Sequence, residues 1–234
     1  LEFASGIDWQ ESYENQPRYV SSVIAMLLGE GHKDMLGFVT GHRFYAAPGK
    51  AWRYSTGDAT VLAAVAKAAL STRFGKDWAW TALFDVLGMR GVTLEEDPRG
   101  TPLGGSHVFA TPKDYARLGY LLLRDGCWNG TRVLPEGWVK DSTEPSVPYV
   151  SHAPATEKLP NGRMWWLNRI AGPSKVLPWE GVPADAFAAN GHWGQHVVVV
   201  PSADVVIVRT GDDHDEEADL KLEKLIALGL EVAK

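Results

Sequence analysis

The apolar positions recur at helical spacing over most of the first 160 residues and then condense into consecutive β-branched runs. Residues 17–29, PRYVSSVIAMLLG, cluster their apolar side chains as a helix does, and Gly29 is a natural stop. A loop rich in Gly and His follows, running to AAPGKAWRYS. Residues 58–74 are the clearest early helix. The stretch is rich in alanine, Val61, Leu62, Val65, Ala69 and Leu70 form an apolar face, and Gly75 ends it. Residues 76–87 read as another short helix, closed by Gly88. A glycine-rich loop from Gly100 leads into a strong helix, with Thr111 as N-cap, Pro112 in the first turn and Asp114 close behind. Tyr115, Leu118, Gly119, Leu122 and Leu123 make its buried stripe. Pro135 begins a short helix, PEGWVKDST, and the proline-rich stretch 143–162 reads as a long surface loop.

The pattern then changes. GRMWWLNRI reads as a strand, and HVVVVPSADVVIVRTG as a hairpin turning at Pro201-Ser202-Ala203-Asp204. Both runs are apolar at consecutive positions, so at least one strand is covered on both faces. Glu216 to Val232 form a last helix, apolar around its second half, with the acidic DDHDEE as its negative first turn. This order predicts an α+β fold: a helical subdomain followed by an antiparallel sheet with a C-terminal helix. Residues 1–160 are its mainly helical region, and 161–234 carry the strands and last helix of the same domain.

Composition narrows the function classes. At 234 residues, 45% hydrophobic and 22% charged, the chain has the ordinary globular mixture and ample core. A net charge of −6, with no block of Lys or Arg, argues against a nucleic-acid partner. No apolar run reaches the roughly 18–20 residues of a transmembrane segment. The single cysteine, Cys127, excludes an internal disulfide and sits in the turn-like RDGCWNG, where a structural thiol is expected. Ten tryptophans are many for this length, and packing accounts for most of them. No cofactor or metal is expected. The DDHDEE spacing matches no ligand set, and His192 and His196 would need a helix where Gly194 and the following valines predict a turn and a strand.

Three short signals carry candidate chemistry. Tyr54-Ser55-Thr56-Gly57 stands on the lip of a helix. Ser55, Thr56 or Asp58 can cap the free N–H groups of the first turn, with Gly57 loosening the backbone, or the same turn can hold Tyr54 rigidly as a catalytic residue. The second signal is the run from GGSHV through PEGW, and the third is Asn190-Gly191-His192-Trp193-Gly194-Gln195 before a strand.

In this order SGIDWQESY, PGKAWRYST, GGSHVFATPKDYARLG with LRDGCWNGTRVLPEGW, and GHWGQ resemble the serine β-lactamase and penicillin-recognising family. The branch is that of class C-like esterases and 6-aminohexanoate-dimer hydrolases, and the resemblance runs from about residue 4 to 211. It implies acylation of a serine in a Ser-x-x-Lys motif, with a tyrosine of a Tyr-x-Asn or Tyr-x-Ser motif as proton relay. It also implies a Lys-Thr-Gly or His-x-Gly motif on a strand lining the cleft. Tyr54 matches the relay tyrosine, and Thr56 stands where Ser or Asn is usual. His192, Trp193 and Gly194 match the third motif, and Tyr13 matches a cleft-covering tyrosine of the amide-hydrolysing members. On this reading Tyr54 is catalytic, and Tyr13, Thr56, His192, Trp193 and Gly194 bind substrate. Positive charge from the motif lysine and from His192 would favour the Tyr54 phenolate, and Thr56 would hydrogen-bond the lysine or substrate. An edge strand after His192 would donate a backbone N–H to the oxyanion, with Trp193 walling the pocket.

One motif is missing. None of the twelve serines is followed by lysine three positions later, and Ser106 in GGSHV belongs to a loop, not to a Gly-x-Ser-x-Gly elbow. In the family the Ser-x-x-Lys helix precedes the equivalent of SGIDW. The chain therefore reads as the C-terminal two-thirds of a serine hydrolase, truncated before its nucleophile and inactive alone. Its fold should lack the first strands of the sheet, leaving an unpaired edge and an uncovered side of the last helix. The expected partners are a small-molecule ester, amide or lactam substrate and a complementing N-terminal segment or a second copy. The alternative is a non-catalytic binding or regulatory remnant. The resemblance is compatible with a periplasmic or secreted parent and with a cytoplasmic one.

Overall fold

Side-chain caps set the helices at the start of the chain. The computed structural model describes residues 2–13, 20–214 and 221–233. One compact unit comprises Phe3–Val86 and Arg90–Phe109, and a second comprises Leu87–Met89 and Ala110–Lys234. In the first, the Ser21 hydroxyl accepts from the Ile24 N–H at 3.2 Å and starts α1 (Ser22–Leu28), which stops at Gly29 as predicted. Residues 17–19 of that predicted helix lie outside the described residues. Asp34 caps α2 (Met35–Thr40) by accepting from the Gly37 N–H at 2.9 Å. This helix lies inside the stretch expected to be loop. It is only six residues long, and its glycine hides the pairing of Met35 with Val39, which are both buried beside Trp9.

Of the three capping candidates, Ser55 is the N-cap of α3 (Thr56–Phe74), its hydroxyl accepting from the Asp58 N–H at 2.9 Å. Ser5 latches the start of the chain onto the same turn, its hydroxyl donating to Asp58 at 2.6 Å. The expected apolar face of α3 is not its buried face. Val65 is 59% exposed, and the helix buries Thr56, Gly57, Ala59 and Thr60 instead, because Trp9 and Met26 pack on the first turn. The helix expected over 76–87 contains a five-residue π-helical turn, Trp80–Phe84. An apolar cleft of about 240 Å³ opens among Ala63, Leu70, Trp78, Phe84, Leu94 and Val108. Leu94 belongs to β1 (Thr93–Leu94) and Val108 to β2 (Val108–Phe109), an antiparallel pair. The core of this unit gathers Ile7, Val23, Met26, Met35, Val39 and Leu103 around the fully buried Trp9. Burying one indole contributes roughly 4–6 kcal/mol gross.

The second unit begins with α4 (Pro112–Leu123), capped by Thr111 with Pro112 in the first turn, as predicted. Asn129 and Gly130, both left-handed, join β3 (Cys127–Trp128) to β4 (Thr131–Arg132) in a tight hairpin. Gly137 is also left-handed and precedes α5 (Trp138–Ser142). The stretch 143–162 is not a surface loop. It contains α6 (Val147–His152), capped by Ser146, and it buries Tyr149 and Asn161 completely. Prolines dominate its composition, yet Ser146 before a first-turn Pro148 is a helix start.

The sheet is antiparallel in the order β5-β6-β7-β8: β5 (Trp166–Leu167), β6 (Phe187–Gly191), β7 (Gln195–Val200) and β8 (Val205–Arg209). The β7–β8 turn falls at Pro201–Ala203 with Asp204 left-handed, where the sequence predicts it. β7 is covered on both faces: Val198 and Val200 pack with Ile226 of α7 (Leu222–Val232), and Val199 packs with Leu122 of α4. Helices on both sides of an antiparallel sheet realise the expected α+β class. Residues 215–220, which include part of the acidic run and the predicted start of the last helix, lie outside the described residues. Among the described residues no helix is long and apolar enough to cross a membrane.

Candidate active site

Tyr13, Tyr54 and Thr56 gather in the first unit around Glu11, a residue of SGIDWQESY to which the sequence reading gave no role. Its Oε1 accepts from the Tyr13 hydroxyl at 2.5 Å and from the Thr56 hydroxyl at 2.5 Å. Its Oε2 accepts from Trp9 Nε1 at 2.6 Å and from the Thr56 N–H at 2.8 Å. The last bond satisfies a free N–H at the positive end of α3, completing what the Ser55 cap begins. The Thr56 hydroxyl, expected to serve lysine or substrate, is buried and commits its proton to Glu11. Tyr54 lies one residue before the cap, its ring against Phe3 at 4.8 Å between centroids. Burial, reinforced by the charge of Glu11, pushes its phenol up to about 12. Burial, then Glu11, also raises Tyr13 well above the usual phenol range. The expected arrangement was a phenolate favoured by positive charge. The Glu11 carboxylate acts in the opposite direction.

Gly57 has a reason other than backbone freedom. Its φ is not left-handed, but a Cβ there would sit 2.9 Å from Trp9 Cε3, so only glycine lets α3 approach the indole.

His192, Trp193 and Gly194 lie together in the second unit, as the three-residue turn closing β6 onto β7 after the Gly191–Gln195 pair. The motif thus occupies a hairpin turn, not a strand. The following strand is not an edge either, since β7 pairs with β6 on one side and β8 on the other. From His196 to Val199 it has a partner on each side, whereas Gln195 pairs only with Gly191. The turn is clamped by Arg209, whose Nη1 donates to the Gly194 carbonyl at 2.8 Å. The guanidinium also forks onto Asp213 with two bonds of 2.7 Å. Gly194 has φ 81° and a Cβ would meet Arg209 Nη1 at 1.9 Å, so glycine is demanded by both backbone and space. Trp193 lies between His192 and His214, with tilted ring contacts at 4.6 and 3.7 Å between centroids, and is 40% exposed.

A sequence model of the Beta-lactamase family matches residues 1–231. The chain belongs to the Beta-lactamase family. Its fold is similar to that of a protein assigned as a 6-aminohexanoate-dimer hydrolase in Bacillus anthracis, with a TM-score of 0.69 and 19% identity. That match covers 99% of this chain and 58% of the other, so the chain spans little more than half the length of that protein. A β-lactamase of Mycobacterium bovis matches with a TM-score of 0.62 and 21% identity over 82% of this chain and 68% of that one. A protein assigned as a β-lactamase in Bacteroides dorei gives 0.60 and 14% over 99% and 71%. No curated protein sequence matches the chain.

Ser106 is exposed in its loop, with its hydroxyl against the neighbouring His107 Nδ1. His196 Nδ1 lies 3.1 Å from Asn190 Oδ1, its cross-strand partner, which fits a ladder contact. Among the described residues no three His, Cys, Asp or Glu side chains converge as metal ligands would. Cys127 is half-buried on β3. Sequence reasoning missed Glu11, although it stands two residues from both Trp9 and Tyr13 in SGIDWQESY, and it missed the Arg209–Asp213 clamp.

Proposed function

We propose that this chain carries the tyrosine and His-x-Gly portions of a serine hydrolase that acts on small-molecule esters, amides or lactams by acyl transfer to water. The observation that carries the reading is Tyr54, poised one residue before the capped first turn of α3 with Tyr13 and Thr56 organised beside it. By the family resemblance Tyr54 is the proton relay, and Tyr13, Thr56, His192, Trp193 and Gly194 contact substrate. The sequence holds no Ser-x-x-Lys pair, so acylation requires a complementing segment or chain that supplies it. The cation of such a lysine would offset Glu11 and bring the Tyr54 phenol back toward the working range. Among the described residues β8 is paired on one side only, and Leu228 and Val232 of α7 are 54% and 88% exposed, which supports a covering segment or second copy.

The test is acylation of the isolated chain by a p-nitrophenyl ester and by a fluorophosphonate probe, read by intact mass. No covalent adduct is expected until a peptide bearing the Ser-x-x-Lys motif is added. Stoichiometric labelling of the chain alone would overturn the reading. One observation favours a second reading, that of a non-catalytic binding remnant: burial, reinforced by the charge of Glu11, pushes the Tyr54 phenol up to about 12, away from what a base at neutral pH needs. Binding of intact ester or lactam to the chain, without turnover after complementation, would select it.

A further inference from the structure

A carboxylate offers about four lone-pair positions, and the four donors on Glu11 use two on each oxygen. The donors come from two stretches 45 positions apart, the segment around Trp9 and Tyr13 and the first turn of α3. Trp9 is wholly buried and Thr56 is 5% exposed, so neither end of this junction is free to drift. The surrounding charged groups are engaged elsewhere. Asp8 pairs with Arg43 at 3.1 Å and with Arg53 at 3.6 Å, Arg53 also donates to the Trp9 carbonyl, and Asp58 accepts from Ser5. His42 lies with its ring 5.5 Å from that of Trp9.

We propose that Glu11 is the positioning residue of the tyrosine cluster, one carboxylate that ties the Tyr13 hydroxyl, the Trp9 indole and the first turn of α3 together. It touches no reacting atom itself. Its consequence for acyl transfer rests on the hydrolase reading above, whereas the junction and its electrostatics do not. With its O–H bound to Glu11, Tyr13 has its proton committed within the cluster. The Glu11 charge also disfavours ionisation of both phenols, in accord with the upward direction found for each.

The junction is tested by 19F NMR on the full chain with 3-fluorotyrosine in place of tyrosine, Tyr13→Phe and Tyr54→Phe assigning the two resonances. In the wild type both should titrate at higher pH than free 3-fluorotyrosine in the same buffer. Glu11→Gln removes the charge and sets an amide N–H₂ against donors, so both resonances should show about tenfold more phenolate at the same pH. Glu11→Asp keeps the charge and should retain the late titration. A folded Glu11→Gln protein with unchanged Tyr13 and Tyr54 titrations overturns the proposal. So does a wild type in which both titrate with free 3-fluorotyrosine, which needs no variant to fold. A failure of ester acylation with the tyrosine coupling intact would sink the hydrolase reading and leave this role standing.

Discussion

Replacing Gly57 by alanine sets two opposing terms against each other, and the structure decides the sign. In an exposed helix interior the change would gain about 0.5–1 kcal/mol from the loss of glycine's unfolded-state freedom. Here the new methyl would stand 2.9 Å from Trp9 Cε3 and 3.0 Å from Cζ3. The indole is wholly buried and tied to Glu11 at 2.6 Å, so it has no room to yield. Overpacking of that kind costs roughly 1–3 kcal/mol, so the balance is a net loss of up to about 2.5 kcal/mol. For a chain of this size that corresponds to a fall of up to roughly 10 °C in melting temperature. The assay is a thermal melt followed by circular dichroism, repeated in a Trp9→Phe background that removes the clashing benzo ring. There the same Gly57→Ala change should become neutral or stabilising. A Gly57→Ala protein that melts at or above the wild type refutes the clearance argument.

Gly119 of α4 is held to the same standard. An added Cβ would meet Val206 Cγ1 at 2.5 Å, so Gly119→Ala should prise the helix from β8 and lower stability by about 1–3 kcal/mol in urea denaturation. Asp97 supplies a pH dependence. Burial would raise its carboxyl, but the N–H groups of Thr101, Met35 and Arg99, at 2.8, 2.7 and 2.9 Å, outweigh it and hold it below the ordinary carboxylate value. A depressed folded value stabilises above the unfolded value of about 3.9, and that contribution fades as pH falls through the folded one. Asp97→Asn should therefore cost roughly 1.5–3 kcal/mol at pH 7, with a gap to wild type that narrows at pH 3. An equal gap at both pH values would contradict the assignment.

Features encoded within a few residues can be read directly from the chain. The Thr111–Pro112 start of α4, the Gly29 and Gly75 stops, the turn at residues 201–204 and the two-faced burial of β7 all follow from caps, punctuation and period. The motifs that place the chain in its family are equally local strings. Tertiary structure alone decided which side of each element is buried and which groups meet. The apolar stripe of α3 stayed partly exposed because Trp9 and Met26 claimed its first turn instead. The stretch 143–162 gained α6 because Tyr149 could be buried there, which its prolines conceal. Glu11 became the centre of the tyrosine cluster through bonds to Thr56, 45 positions away. Periodicity reports a residue's neighbours three or four places along the chain. The rise of the Tyr54 phenol comes from burial first and from the Glu11 charge second, both supplied by folding, and no local pattern records either.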